Sequence, residues 1–311
     1  MLCSKILIKL LAISGGLMNQ RITHLLSFCI LIFSSFTSNA ITLSTWNMEW
    51  LTLNPVKEFS SSERHKQDFE QLNKYFLQSN SQILAFQEVD SVEAIKKVVG
   101  NEYKIYLSDR SSHPKKQFND INQYTGFAIH ESISVTDPRD IPLLPKKKSS
   151  KLRYATYVIA IIDKQPVHLL SIHLKSGCMG QKKKNYACST LDQQTKELTD
   201  WINLREINND SYLILGDFNH TLAHRRSWLW KNIDTQTEET PFLLTEQTKA
   251  SCTVKQWKRG WPKYTTFTRL IDHGVTNMSE SHFNVTQQSF EQADVKKYQL
   301  TDHCPILFEY N

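Results

Sequence analysis

The sequence predicts an α+β fold with sheets inside and helices outside. Short apolar runs of strand length alternate with windows whose apolar residues recur at helical spacing. Some neighbouring strands are separated only by a turn and others by a helix, so hairpins mix with crossovers. No Gly/Ser-rich or Pro-rich linker and no internal repeat interrupts residues 41 to 311, which are expected to form one domain with a sizeable core.

Each element has a local reason. Ile41 to Met48 reads as the first strand, and Arg64 to Gln78 as a helix with Phe69, Leu72 and Phe76 on one face. Ile83 to Val89 is a strand and Val92 to Val99 a short helix. Lys104 to Ser108, Gly126 to His130, Tyr154 to Asp163 and Val167 to Leu174 are further strands, with Gln165-Pro166 as the hairpin turn between the last two. Thr190-Leu191-Asp192-Gln193 has capping-box spacing and opens a helix with Leu191, Leu198, Trp201 and Ile202 on its apolar side. Tyr212 to Phe218 is a strand. His220 to Tyr264 shows little periodicity and reads as loop-rich. Phe267 to Thr276 and Pro305 to Tyr310 are the last strands.

Residues 1 to 40 differ in kind. They hold Lys5, Lys9 and Arg21, no acid, and an apolar stretch from Leu25 to Phe36 that is too short to span a bilayer. Ser38-Asn39-Ala40 supplies small residues for a signal peptidase. This is the pattern of a leader, with Met18 as an alternative start. The reading favours an exported monomer, periplasmic or extracellular, that keeps no membrane anchor once the leader is removed. Bulky Phe28 before Cys29 argues against a lipoprotein.

Half of the net charge of +6 belongs to those three leader residues, so the remainder is only mildly basic. The excess is clustered in Lys146-Lys147-Lys148, Lys182-Lys183-Lys184, Arg225-Arg226 and Lys258-Arg259. Each run alone reads as a solvated loop, but several flank polar strand ends. Cys178, Cys188, Cys252 and Cys304 lie beyond the leader. An even count in an exported chain suggests disulfides. Cys178 and Cys188 bracket a polar loop, which leaves Cys252 with Cys304 by elimination. A zinc site is the weaker alternative, since no Cys-x-x-Cys spacing occurs.

The polar strand ends carry the chemistry. Gly216-Asp217-Phe218-Asn219 follows the apolar Tyr212 to Leu215, and alone it could be an ordinary turn. Thr45-Trp46-Asn47, Phe86-Gln87-Glu88, Ser171 to Gly177 with His173, Leu270-Ile271-Asp272-His273 and Thr301-Asp302-His303 repeat the pattern. Six apolar strands each deliver Asn, Asp, Glu or His at or near an end, as a metal-assisted phosphoesterase requires.

In that order, the motifs resemble those of the endonuclease/exonuclease/phosphatase superfamily. Its relatives include deoxyribonuclease I, exonuclease III, bacterial extracellular nucleases and neutral sphingomyelinases. The resemblance runs from Trp46 to His303. It implies a four-layer α/β sandwich, two packed mixed sheets flanked by helices, with the site at one edge. It further implies that Asn47 and Glu88, with Asp302 nearby, hold a divalent metal. Hard oxygen donors favour Mg²⁺, with Mn²⁺ or Ca²⁺ as alternatives. Asp217 and Asn219 would orient water and phosphate oxygens, and Asp217 with His303, held by Asp272, would activate the water. His173 would contact the scissile phosphate or assist the leaving oxygen. Arg153 and Lys175 are the phosphate-binding candidates. His273, next to Asp272 on a strand, should face away and pack.

The chain also departs from relatives. His173-Leu174-Lys175-Ser176-Gly177 stands where abasic-site endonucleases carry a Tyr-x-Pro loop. Gln123-Tyr124-Thr125 offers no carboxylate to pair with His173, which argues against a strict acid role for it. His220-Thr221 replaces the Tyr-Arg pair of inositol polyphosphate phosphatases. For substrate, Trp228, Trp230, Trp257 and Trp261 lie among Arg225, Arg226, Lys258 and Arg259. Cations for phosphates and flat rings for bases suit nucleic acid, DNA first. The same aromatic loop docked on lipid would make a phospholipase or sphingomyelinase, and packing of a long loop is the structural alternative. Intact motif residues argue against a binding module without turnover.

Overall fold

Two strand–helix–strand crossovers set the architecture, and each yields one parallel strand pair. The computed structural model describes residues 40–144, 151–258 and 260–311. In chain order the strands are β1 (Ile41–Leu51), β2 (Ile83–Val89), β3 (Tyr103–Leu107), β4 (Tyr124–His130), β5 (Val135–Thr136), β6 (Ile141–Pro142), β7 (Tyr154–Ile162), β8 (Gln165–His173), β9 (Ser211–Asp217), β10 (Phe242–Leu243), β11 (Thr253–Lys258), β12 (Trp261–Thr266), β13 (Asp272–Thr276), β14 (Phe283–Gln287) and β15 (Ile306–Tyr310). The helices are α1 (Lys66–Ser79), α2 (Val92–Val99), α3 (Tyr186–Ile207), α4 (Trp228–Gln236) and α5 (Gln292–Lys297). The leader and Lys146 to Lys148 lie outside the described residues.

One sheet runs β14-β15-β1-β2-β4-β3, and the other β10-β13-β9-β8-β7-β5 with β6 also on β7. β1 and β2 are parallel across α1, β8 and β9 are parallel across α3, and the remaining described pairs are antiparallel. Strand alternation sorts the side chains. Leu43, Ala85, Phe127, Leu169, Leu213, Leu215 and Phe308 fill the space between the sheets. Trp46, Leu84 and Phe86 point the other way, onto Leu72 and Phe76 of α1 and Ile95 and Val98 of α2. Leu170, Ile172 and Ile214 meet Leu191, Leu198 and Trp201 of α3 and Leu229 and Ile233 of α4. Three apolar seams between four layers follow, α/β/β/α, which is the sandwich the motifs imply.

Several local expectations are corrected. The β7–β8 hairpin turns at Asp163 (φ +46°) and Lys164 (φ +64°), not at Gln165-Pro166. A two-residue loop that matches the strand twist needs positive φ at both positions, and Pro166 instead pairs with Ile161 at the exposed start of β8. Helix α3 begins before the Thr190 capping box, because the Asn185 side chain accepts a hydrogen bond from the Cys188 N–H (2.9 Å) and starts the helix there. The stretch from His220 to Tyr264 holds α4, β10 and most of the β11–β12 hairpin. The strand expected from Phe267 starts only at Asp272. Strand β14 and helix α5 carried too little periodicity to be read. Both disulfides, Cys178–Cys188 and Cys252–Cys304, are formed as paired in the sequence reading.

Gly216 shows how closely the central strands approach. It has φ +147°, and a Cβ there would lie 2.1 Å from the Ile172 carbonyl oxygen on β8. Gly216→Ala is expected to cost more than about 3 kcal/mol or to block folding, since backbone strain and a backbone clash add. Gly100 also has positive φ (+86°) but no atom within 4 Å of an added Cβ, so Gly100→Ala meets backbone strain alone and should cost less, about 1–3 kcal/mol. Thermal unfolding of the two variants checks this, and equal losses would refute it.

Candidate active site

Strand direction brings the polar ends to one rim. Parallel strands β1, β2, β8 and β9 finish there, so Asn47, Glu88, His173 and Asp217 arrive from their C-terminal ends. Antiparallel β7, β13 and β15 begin there, so Asp272 arrives as the first residue of β13, and Arg153, Asp302 and His303 from the segments that lead into β7 and β15. Asp217 faces both His173 and Asp272 in register.

Asn47 joins the two sheets. Its Nδ2 donates to Glu88 Oε1 (3.2 Å) and to Asp217 Oδ2 (3.1 Å), and its Oδ1 accepts from the Glu49 N–H (3.0 Å). Glu88 has a left-handed backbone (φ +58°) that breaks the β2 register between Phe86 and Val89. Its second oxygen, Oε2, accepts from the Trp50 N–H (3.2 Å). Such a conformation costs about 1–2 kcal/mol in a non-glycine residue, and the surrounding bonds hold it. Asp217 Oδ1 accepts from the Asn219 N–H (2.7 Å), while Asn219 Nδ2 donates to the Leu174 carbonyl (3.1 Å) and Asp217 Oδ2 (3.2 Å).

His303 is fixed from three sides. Its Nδ1 bonds Asp272 Oδ2 at 2.7 Å. Its carbonyl accepts from the Trp46 indole (3.1 Å) and the Thr301 hydroxyl (2.5 Å). The next residue, Cys304, is bridged to Cys252 at the foot of the β11–β12 hairpin. The free Nε2 lies 3.8 Å from Asp302 and 4.0 Å from Asp217. His173 Nε2 lies 3.5 Å from Asp217 and 3.7 Å from Glu88. His173 Nδ1 is buried without a partner, as the missing carboxylate at Gln123 to Thr125 implied. Gln123 instead accepts from Arg153.

The electrostatics separate the two histidines. Burial lowers the His173 pKa well below its ordinary value, and Arg153 and His303 push it further down, so His173 is neutral. Burial also works against His303, but the charge and hydrogen bond of Asp272, then Asp302 and Asp217, raise its pKa well above the ordinary value. Burial raises Asp217; His303 opposes that and Asp272 adds to it. Burial likewise raises Glu88, with Arg153 pulling back and Asp302 pushing up. Arg153 is therefore at the rim, coupled to Glu88 and Asp217. Lys175 turns its Nζ to the Ser176 carbonyl (3.0 Å), near enough for its charge to bear on His173.

Two rim residues escaped the sequence reading. Glu49 is buried to 7% exposure with Oε2 unpartnered, and its pKa is raised well above the usual range by burial and then by Asp302. Its only signal was its place two residues past Asn47. Arg64 is buried and donates to the carbonyls of Met48 (3.2 Å), Glu49 (2.9 Å), Gln299 (3.2 Å) and Leu300 (2.7 Å). It ties the end of β1 to the segment carrying Asp302 and His303, and nothing near Arg64 in the sequence announces this. His273 behaves as expected: it packs on the far face and bonds Thr245 (2.5 Å) and the Leu222 N–H (3.2 Å). Burial takes its pKa down to about 3.

The tryptophans divide. Trp228 and Trp230 pack on the core under α4, and Trp228 meets the His220 ring (5.6 Å) and the Lys182 ammonium (5.0 Å). They are not an exposed loop. Trp257 and Trp261 are exposed on the β11–β12 hairpin, at 40% and 77%.

The donor set suits a hard cation. The charges of Glu88 and Asp302 act on Glu49, whose Oε2 is buried without a partner, and Glu88 is bonded to Asn47, so oxygen donors gather on this side of the rim. Among the described residues, the cluster of acidic and histidine groups whose potential ligand atoms all lie within 4.8 Å of one another is Asp217, Asp272 and His303. Since Asp272 occupies His303 Nδ1, that trio is better suited to moving a proton than to holding an ion.

No family model and no curated protein matches the chain. Solved structures do. An endonuclease/exonuclease/phosphatase from Bacteroides vulgatus superposes with a TM-score of 0.60 at 15% identity, covering 88% of this chain and 98% of that one. D. rerio TDP2, complexed with a single-strand DNA product, gives 0.56 at 14% identity, covering 88% and 99%. The Neisseria 3′ phosphatase NExo, bound to a product DNA hairpin, gives 0.55 at 13% identity, covering 88% and 100%. The chain has the endonuclease/exonuclease/phosphatase fold.

The Asp272–His303 pair gives a test that needs no substrate. The carboxylate favours the imidazolium, so Asp272→Asn should lower the His303 pKa. NMR titration of the metal-free protein reads it. An unmoved midpoint would show that Asp272 does not set the charge of His303.

Proposed function

We propose that this chain is a divalent-metal-dependent phosphodiester hydrolase that acts on DNA, as a monomer outside the cytoplasm. The observation that carries this is the hydrogen-bonded Asp272–His303 pair facing Asp217, beside the oxygen set of Asn47, Glu88 and Asp302, on a fold shared with the proteins above. Asn47, Glu88 and Asp302 would hold Mg²⁺, with Mn²⁺ or Ca²⁺ as alternatives. When bound, such an ion polarises a phosphoryl oxygen.

The chain's own groups supply the rest. Asp217 and His303 position the water and Asp217 takes its proton; the water oxygen forms the new bond to phosphorus, the bridging P–O bond breaks, and the proton ends on the leaving oxygen. Asp272 keeps His303 in one tautomer. Asn219, tied to the Leu174 carbonyl, holds the Asp217 carboxylate in place and would orient phosphate oxygens. Neutral His173 would donate from Nε2 to the scissile phosphate, and Arg153 and Lys175 would anchor its charge.

DNA is favoured by basic side chains around the rim, and two of the structural neighbours were solved with DNA products. Export is supported by the leader composition and both disulfides. Among the described residues no helix is long and apolar enough to cross a membrane. One observation favours a lipid diester instead: Trp257, Trp261 and Tyr264 stand exposed on one hairpin.

Plasmid DNA and phospholipid vesicles, each with Mg²⁺ and with chelator, decide between these readings. We expect DNA hydrolysis that chelator abolishes and added metal restores. Glu88→Ala, Asp217→Ala and His303→Ala should each lower turnover about 100-fold or more without unfolding the protein. Hydrolysis of phospholipid with DNA left intact reverses the substrate, and near-wild-type turnover by His303→Ala removes the mechanism.

A further inference from the structure

The catalytic rim lies between two clefts that share no lining residue. The larger, about 570 Å³, opens beside Asp272 and His303 and is lined further out by Arg226, Phe267 and Arg269. The smaller, about 210 Å³, opens beside Arg153 and is lined by Trp50, Phe118 and Lys151.

Strand order places them on opposite flanks. The parallel pairs β1/β2 and β8/β9 sit centrally in their sheets and carry Asn47, Glu88, His173 and Asp217. Strand β13, which Asp272 begins, and β15, which His303 leads into, lie to one side; β4 and β7, which Gln123 and Arg153 lead into, lie to the other. The contacts run the same way, from Glu88 to His173, to Asp217, to His303 and to Asp272.

Each flank combines a cation with a flat ring. On one, Lys151 Nζ lies 5.0 Å from the Phe118 ring centroid, Phe118 is 49% exposed, and the Trp50 ring is set by stacking on Phe59 (4.3 Å). On the other, Phe267 is exposed with Arg226 and Arg269. Cations take phosphates, and rings take bases irrespective of sequence. A terminal phosphate or a single headgroup would use one flank and leave the other idle.

We infer that the substrate is a polynucleotide strand held on both sides of the scissile phosphate, and that cleavage is internal. This rests on the phosphodiesterase reading above. Binding energy from both flanks holds the reacting phosphate at the rim, so a site with nucleotides on one side only is a poor substrate.

The test uses the full mature chain, Mg²⁺ or Mn²⁺, covalently closed circular DNA and an end-labelled linear strand. The expected result is opened circles, and internal fragments from the linear strand before any mononucleotide or free phosphate. Arg226→Ala with Arg269→Ala, and separately Lys151→Ala with Phe118→Ala, should each raise KM for the linear strand about tenfold, with kcat changing less. The arginine pair should also flatten the salt dependence of binding. Intact circles with a linear strand shortened from its ends would overturn the inference and leave the phosphodiesterase reading standing. A KM that neither pair moves would overturn it too. Failure to hydrolyse either DNA would instead remove the underlying reading.

Discussion

Crowding of carboxylates at one buried rim is the constraint on which the rest of this structure depends. Glu49, Glu88, Asp217, Asp272 and Asp302 converge where solvent is scarce, and burial alone raises the pKa of Glu49, Glu88 and Asp217. Such a cluster persists only if opposite charge and hydrogen-bond donors offset the desolvation. Arg64, Arg153 and His303 supply charge from the protein side, and Asn47 and the amides of Trp50 and Asn219 supply donors. The Glu49 oxygen Oε2 remains without a partner.

That constraint explains why the surrounding structure is so firmly tied. Trp46 uses its indole on Thr301 (2.8 Å) and the His303 carbonyl, while its ring packs beneath the first sheet. Arg64 binds four carbonyls on two segments. Gln87 Nε2 donates to Ser171 Oγ (3.1 Å) between the sheets, just under the catalytic layer. The Cys252–Cys304 disulfide follows His303 directly, and Cys178–Cys188 closes the loop just after His173 and Lys175. Both covalent links therefore restrain segments that carry a histidine of the rim, His173 or His303. Pre-organisation of this kind lets fixed groups stabilise developing charge without reorganising at the moment of reaction.

The fold defines less than the site does. Its structural neighbours include a 3′ phosphatase, TDP2 and an endonuclease/exonuclease/phosphatase from Bacteroides vulgatus, all at low identity, and one sandwich supports many substrates. Selectivity must then come from what surrounds the common rim: which clefts open beside it, what charges and rings line them, and whether one or both flanks can be filled. The β11–β12 hairpin belongs to this variable surround. It holds exposed aromatics, and its Gln256 reaches the larger cleft.

The sequence by itself determined most of the strands and helices and the polar group at each strand end, and it suggested disulfides without fixing the Cys252–Cys304 pair. Strand periodicity is local, and a break from apolar to Asn47, Glu88, His173 or Asp217 can be read within a few residues. Tertiary structure decided the remainder. The Trp46–Thr301 bond spans 255 residues, and Arg64 meets Gln299 and Leu300 across almost the whole chain, so neither has a local signature. Trp228 and Trp257 look alike in sequence, yet a helix packs one, half-buried, on the core of the second sheet and a hairpin exposes the other. The two flanking clefts exist only because parallel and antiparallel strands bring their ends to the same rim. That convergence is a property of strand order and direction, which no window of sequence contains.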